Sequence, residues 1–170
     1  MELELKRGGR TARVETLGGE LVSYRDERGL EYIWGGDPAY WPGRNPLLFP
    51  IVGMLKEGKI RFDGREYAME RHGFARRREF TPAARGEDWV RLELRESAET
   101  LALYPYSFRL AVEQRLTDTG FSTAVTVANP GEGPLPFCLG AHTGFRCPLE
   151  AGERFEDYEL VFPERESCPT

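Results

Sequence analysis

Phe108-Arg109-Leu110-Ala111-Val112-Glu113-Gln114-Arg115-Leu116 leads through Thr117-Asp118-Thr119-Gly120 into Phe121-Ser122-Thr123-Ala124-Val125-Thr126-Val127. Phe108, Leu110, Val112, Gln114 and Leu116 fall on one face of this segment, and Arg109, Ala111, Glu113 and Arg115 on the other. That period of two belongs to a strand with one face in a core. Asp118-Thr119-Gly120 supplies turn residues, and Phe121, Thr123, Val125 and Val127 resume the alternation, so the stretch predicts an antiparallel hairpin.

Working outward, Lys59-Ile60-Arg61-Phe62 and Arg65-Glu66-Tyr67-Ala68-Met69 flank Asp63-Gly64, a dipeptide suited to the left-handed positions of a tight hairpin turn. Further strands are expected over Leu3–Lys6, Arg10–Leu17, Leu21–Arg25, Glu79–Pro82, Trp89–Arg95, Pro136–Leu139 and Tyr158–Phe162. A helical turn is expected across Ala98–Leu103, closed by Pro105. Nineteen glycines and twelve prolines imply frequent turns. Short strands with turn signals every 8–12 residues predict an all-β fold, an antiparallel β-sandwich or barrel. No repeat or linker divides residues 1–170, which read as a single domain.

Charge narrows the function. Twenty-three Lys and Arg stand against 28 Asp and Glu, a net charge of −5, which argues against a nucleic-acid partner. No run approaches the ~18 apolar residues of a membrane span, and Met1-Glu2-Leu3-Glu4-Leu5-Lys6 is unlike a secretion signal. A cytoplasmic protein without a membrane partner is expected. Three cysteines, Cys138, Cys147 and Cys168, are an odd set for a disulfide framework, and reduced thiols are expected.

Both histidines sit beside glycines. His72 lies in Arg71-His72-Gly73-Phe74-Ala75-Arg76, and His142 in Phe137-Cys138-Leu139-Gly140-Ala141-His142-Thr143-Gly144-Phe145. Imidazole both gives and takes protons near neutrality, so proton transfer stands beside the plainer role of a satisfied turn or core histidine. Cys138, His142 and Cys147 do not have zinc-site spacing; on a regular strand Cys138 and His142 would be about 13 Å apart, and no metal is expected. Arg71, Arg76, Arg77 and Arg78 form a basic cluster suited to a solvated face. Trp34, Tyr40, Trp41 and Phe145 could stack on the apolar face of a ligand or fill the core.

Arg44-Asn45-Pro46-Leu47-Leu48-Phe49-Pro50-Ile51-Val52-Gly53, then His72-Gly73-Phe74-Ala75-Arg76, resemble the aldose 1-epimerase (galactose mutarotase-like) family. Glu31 to Pro38, Tyr104 to Phe108 and Phe137 to Phe145 follow in the family's order, so the resemblance runs from about Gly18 to Phe162. It implies the galactose mutarotase-like β-supersandwich and interconversion of the α and β anomers of a free hexose without a cofactor. His142 takes the place of the general acid on the ring oxygen, and His72 that of the histidine that holds and polarises the sugar. Arg76, Phe145 and Trp34 take substrate-binding places.

This sequence departs from the family at three places. The family's base is a glutamate late in a longer chain, and none of Glu150, Glu153, Glu156, Glu159, Glu164 or Glu166 stands in that context. Thr143 follows His142 where proline is common, which is expected to relax the backbone, and Met54 follows Gly53 where many relatives carry arginine. The expectation is therefore the N-terminal portion of the family fold, a sandwich incomplete at its C-terminus, with open sheet edges as a route to homo-oligomers. The alternatives to an isomerase are a carbohydrate-binding module, or a fragment without the general base.

Overall fold

The computed structural model describes residues 1–165 and residue 167; Glu166 and Cys168 lie outside the described residues. β1 (Glu2–Arg7), β2 (Arg10–Glu15) and β3 (Glu20–Arg25) form an antiparallel three-stranded sheet. The pair β4 (Leu47–Leu48) comes next, then the hairpin of β5 (Lys59–Phe62) and β6 (Arg65–Ala68). Its turn residues Asp63 and Gly64 have φ of 46° and 79°, the left-handed pair that Asp-Gly favours.

β7 (Thr81–Arg85), β8 (Trp89–Arg95), β9 (Arg109–Leu116) and β10 (Phe121–Ala128) make a four-stranded antiparallel sheet in the order β10-β9-β8-β7. Between β8 and β9 lies α1 (Ala98–Leu101), where Ser97 and Thr100 cap each other reciprocally. β11 (Gly140–Ala141) pairs back onto β4.

The two larger sheets share one core. Leu5, Val14 and Leu21 of the first meet Val90, Leu92, Leu110 and Val112 of the second, all at most 2% exposed. Gln114, on the inward face of β9, is satisfied there: its amide donates to the Gly19 carbonyl at 3.2 Å and its carbonyl accepts from Thr123 at 2.6 Å. Phe49, Tyr104 and Phe108 are fully buried, with Phe49 and Phe108 ring centroids 5.3 Å apart. Each such ring contributes roughly 1.5–3 kcal/mol by burial, so Phe49 anchors its chain segment firmly. None of the described helices is long and apolar enough to cross a membrane.

Three strand expectations need correction. Pro136–Leu139 is not a strand: Pro136 and the facing Pro50 lack N–H groups, and Cys138 N–H donating to Pro50 O at 2.9 Å is the backbone bond that remains. Tyr158–Phe162 is not one either; Leu160, Val161 and Phe162 are exposed and have no strand to pair with among the described residues. Glu79–Pro82 shifts to Thr81–Arg85, while Glu79 makes a single bridge to Leu17. The four-stranded sheet ends at β10, whose outer edge carries no strand among the described residues.

Candidate active site

The segment from Arg44 to Gly53 is a spine to which two distant motifs attach. On one side the Phe74 and Ala75 amides both donate to Phe49 O, at 3.0 and 3.2 Å. Gly73 pairs with Phe49 there, and a Cβ at Gly73 would lie 2.2 Å from that carbonyl oxygen, at a φ of +70°. Only glycine fits beside the histidine. His72 N–H donates to Gly53 O at 2.7 Å, and Gly53 N–H donates to His72 Nδ1 at 3.0 Å. With Nδ1 as acceptor, the neutral ring carries its proton on Nε2.

On the other side β11 zips onto β4, and the following loop continues the contact. His142 N–H donates to Pro46 O at 3.1 Å, Thr143 Oγ1 to Asn45 Oδ1 at 2.6 Å, and Gly144 N–H to Arg44 O at 2.6 Å. Where proline is the family's usual residue, the Thr143 hydroxyl ties the loop to buried Asn45. Glu20 Oε1 in turn accepts from the Arg44 and Asn45 amides at 3.0 and 2.5 Å, fixing the spine to β3.

These attachments bring His72 and His142, seventy positions apart in sequence, to a ring-centroid distance of 6.1 Å. They line a cleft of about 310 Å³ with Trp41, Pro46, Leu48, Arg71 and Arg76. Arg76 donates through Nη2 to Arg71 O at 2.9 Å, and its buried Nε has no hydrogen-bond partner among the described residues. Burial, then Arg77 and Arg71, hold the Arg76 pKa below the ordinary guanidinium value, against Glu70. His72 is likewise held below the usual imidazole value, by burial first and then by Arg71, Arg76 and His142. The lining contains no carboxylate among the described residues.

Of the sequence candidates, His142, His72 and Arg76 share this cleft, whereas Trp34 and Phe145 lie outside its lining. Trp34 spends its indole N–H on Trp41 O at 2.8 Å. Phe145, bridged to Ile33, lines a separate apolar cavity with Tyr32 and Cys147. Met54 is exposed and outside the lining. Glu150 pairs with Arg28 at 3.6 Å, and Glu153 bonds to Tyr158 and to the Glu150 amide. A larger cavity, about 710 Å³ beside β7 and α1, is lined by charges that satisfy one another, Arg78 with Glu99 and Arg95 with Glu93. Asn45 and Gly53 stand in the Arg44–Gly53 motif without a role that its residue types reveal, and Glu20 carries no sequence signal for its part.

The antiparallel all-β fold is shared with solved galactose mutarotase-like proteins. The aldose 1-epimerase family profile matches residues 1–170, and the chain belongs to that family. It is 41% identical to the plasmid and chromosomal LacX proteins of Lactococcus lactis subsp. lactis, over 99% of this chain and 58% of each relative. Among solved structures, a galactose mutarotase related enzyme from Lactobacillus acidophilus superposes with a TM-score of 0.89 at 28% identity, over 92% of this chain and 53% of the other. A galactose mutarotase-like protein from Lactobacillus casei superposes at 0.84 with 33% identity, over 89% and 52%. The chain thus spans a little over half the length of the relatives it matches.

Proposed function

We propose that this chain carries the sugar-binding and ring-protonating part of an aldose 1-epimerase site, acting on a free hexose. The observation that carries this reading is the convergence of His72 and His142 on one cleft with Arg76. Opening a cyclic hemiacetal requires a proton on the ring oxygen while another leaves the anomeric hydroxyl. His142, on the exposed side of the cleft, delivers the first. His72, with Nδ1 occupied by the Gly53 amide, presents Nε2–H as a fixed donor to a sugar oxygen. Arg76 holds a hydroxyl through a guanidinium that has no acidic partner among the described residues and donates to Arg71 O. The described lining supplies no group to accept the second proton, so that proton passes to water and the chain by itself assists only the ring-oxygen half of the exchange. The reaction needs no cofactor and belongs to the cytoplasm, in keeping with Cys138 and Cys147 as free thiols.

The missing carboxylate favours a second reading, a carbohydrate-binding module that recognises a hexose without converting it. Anomer exchange of D-galactose followed by NMR, beside calorimetric binding on the same sample, separates the two. Exchange above the buffer rate that is lost in His142→Ala supports the isomerase, binding with exchange at the buffer rate supports the module, and the absence of both binding and exchange overturns both readings.

A further inference from the structure

Trp41 is built into this cleft with unusual care. Its ring centroid lies 4.9 Å from that of His142, tilted by 53°, and it shares the lining with His72 and Arg76. Two glycines make room for the indole. A Cβ on Gly43 would stand 2.6 Å from Cζ2, and one on Gly144, the second residue after His142, would stand 2.7 Å from Cζ3. Both separations are below any that real side chains tolerate, so neither position accepts a larger residue while the ring stays where it is. The backbone under the ring is also fastened: Trp41 N–H donates to Asp37 O at 2.8 Å, and Trp41 O accepts the Trp34 indole N–H at 2.8 Å. Trp34 N–H itself donates to Gly144 O at 2.9 Å, so the ring and the His142 loop are held by one set of bonds.

A half-buried, clamped aromatic ring shares the cleft with Pro46 and Leu48 and with two imidazoles and two guanidinium groups, so the lining offers apolar surface and hydrogen-bond donors together. A hexopyranose has the matching division: C–H groups, polarised positive, crowd one face, and hydroxyls ring the edge. Aromatic faces are negative and attract such C–H groups. We propose that Trp41 is the residue that receives the sugar's C–H face and so determines which hexose orientation reaches His142. This rests on the sugar-site reading above. Trp34, by contrast, is a positioning residue that holds Trp41 from outside the lining.

Saturation-transfer NMR and calorimetry with D-galactose and with D-glucose test the assignment on the wild-type chain, Trp41→Phe and Trp41→Ala, with thermal melting to verify folding. On the wild type, saturation from aromatic protons should concentrate on the ring C–H protons of one sugar face. Trp41→Ala should bind about threefold to tenfold more weakly, as the loss of one aromatic contact predicts, and lose that pattern. Trp41→Phe should retain both within about twofold, and if the alanine chain does not fold the wild-type saturation pattern decides. Binding by Trp41→Ala equal to wild type, or uniform saturation over the sugar in the wild type, overturns the role of Trp41 alone. No binding of either sugar by the wild type overturns the sugar-site reading with it.

Discussion

The Gly53 amide donates to Nδ1 of His72 at 3.0 Å while the His72 amide donates back to the Gly53 carbonyl at 2.7 Å. This two-point clamp ties the imidazole to the spine and leaves Nε2–H as the atom it offers outward. Protonation at Nδ1 would set N–H against N–H, which works in the same direction as the burial and neighbouring positive charges that depress the His72 pKa.

His72 should therefore titrate by NMR below the ordinary imidazole value of about 6.5, with Nδ1 in its acceptor form at neutral pH. Between the depressed value and about 6.5 the unfolded chain binds more protons than the folded one. The contribution of His72 to stability is thus full above that window and falls as pH drops through it. Denaturant midpoints at several pH values should show a shallower loss over this window in His72→Gln than in wild type.

His142→Ala should lower whatever anomer exchange the chain supports while leaving hexose affinity within about threefold, because a general acid acts mainly in the transition state. Without a positioned base the wild-type rate itself should lie roughly 10²–10⁴ below that of a longer relative. Exchange spectroscopy on both proteins measures this; turnover equal to the relative's would show that a base is present after all.

Arg76→Ala should act the other way, raising the hexose Kd about tenfold or more with a smaller effect on turnover, since hydrogen bonds from charged groups are worth roughly 1.5–3 kcal/mol. With Arg71 and Arg76 in a lining that lacks carboxylates, inorganic phosphate should also compete with the sugar, and less so against Arg76→Ala. Competition calorimetry reads both effects.

Asn45→Ala removes the acceptor of the Thr143 hydroxyl from a buried position. A loss of about 1–3 kcal/mol is expected in chemical denaturation. The His142 ring resonances should broaden or shift, because the same loop carries the histidine. Thr143→Val should reproduce the second effect.

Gly73→Ala sets a methyl group 2.2 Å from Phe49 O in a left-handed conformation. It should cost at least about 3 kcal/mol or prevent folding, as judged by thermal melting.

The sequence by itself determined the strands that alternate. The inward face of β9 and the Asp63-Gly64 turn follow from side-chain period and backbone preference, which are local properties. It also carried the family resemblance, in the motifs from Arg44 to Gly53 and from His72 to Arg76, and it singled out His72 and His142 by the glycines beside them. Only the tertiary structure decided which residues meet. Trp41, and not Trp34 or Phe145, faces the cleft, because the chain from Asp37 to Gly43 folds back beneath the His142 loop and uses the Trp34 indole as a strut. Pro136–Leu139 carries the composition of a strand but faces Pro50, and no local pattern reports what a segment will find opposite it. The lack of a carboxylate in the lining among the described residues has the same origin: Glu150 and Glu153 are close in sequence to His142, yet their hydrogen bonds and charges are spent on Arg28, Tyr158 and their own turn. Side-chain period acts over two residues, whereas a site is assembled by the hydrogen bonds of a spine that joins positions seventy or more residues apart.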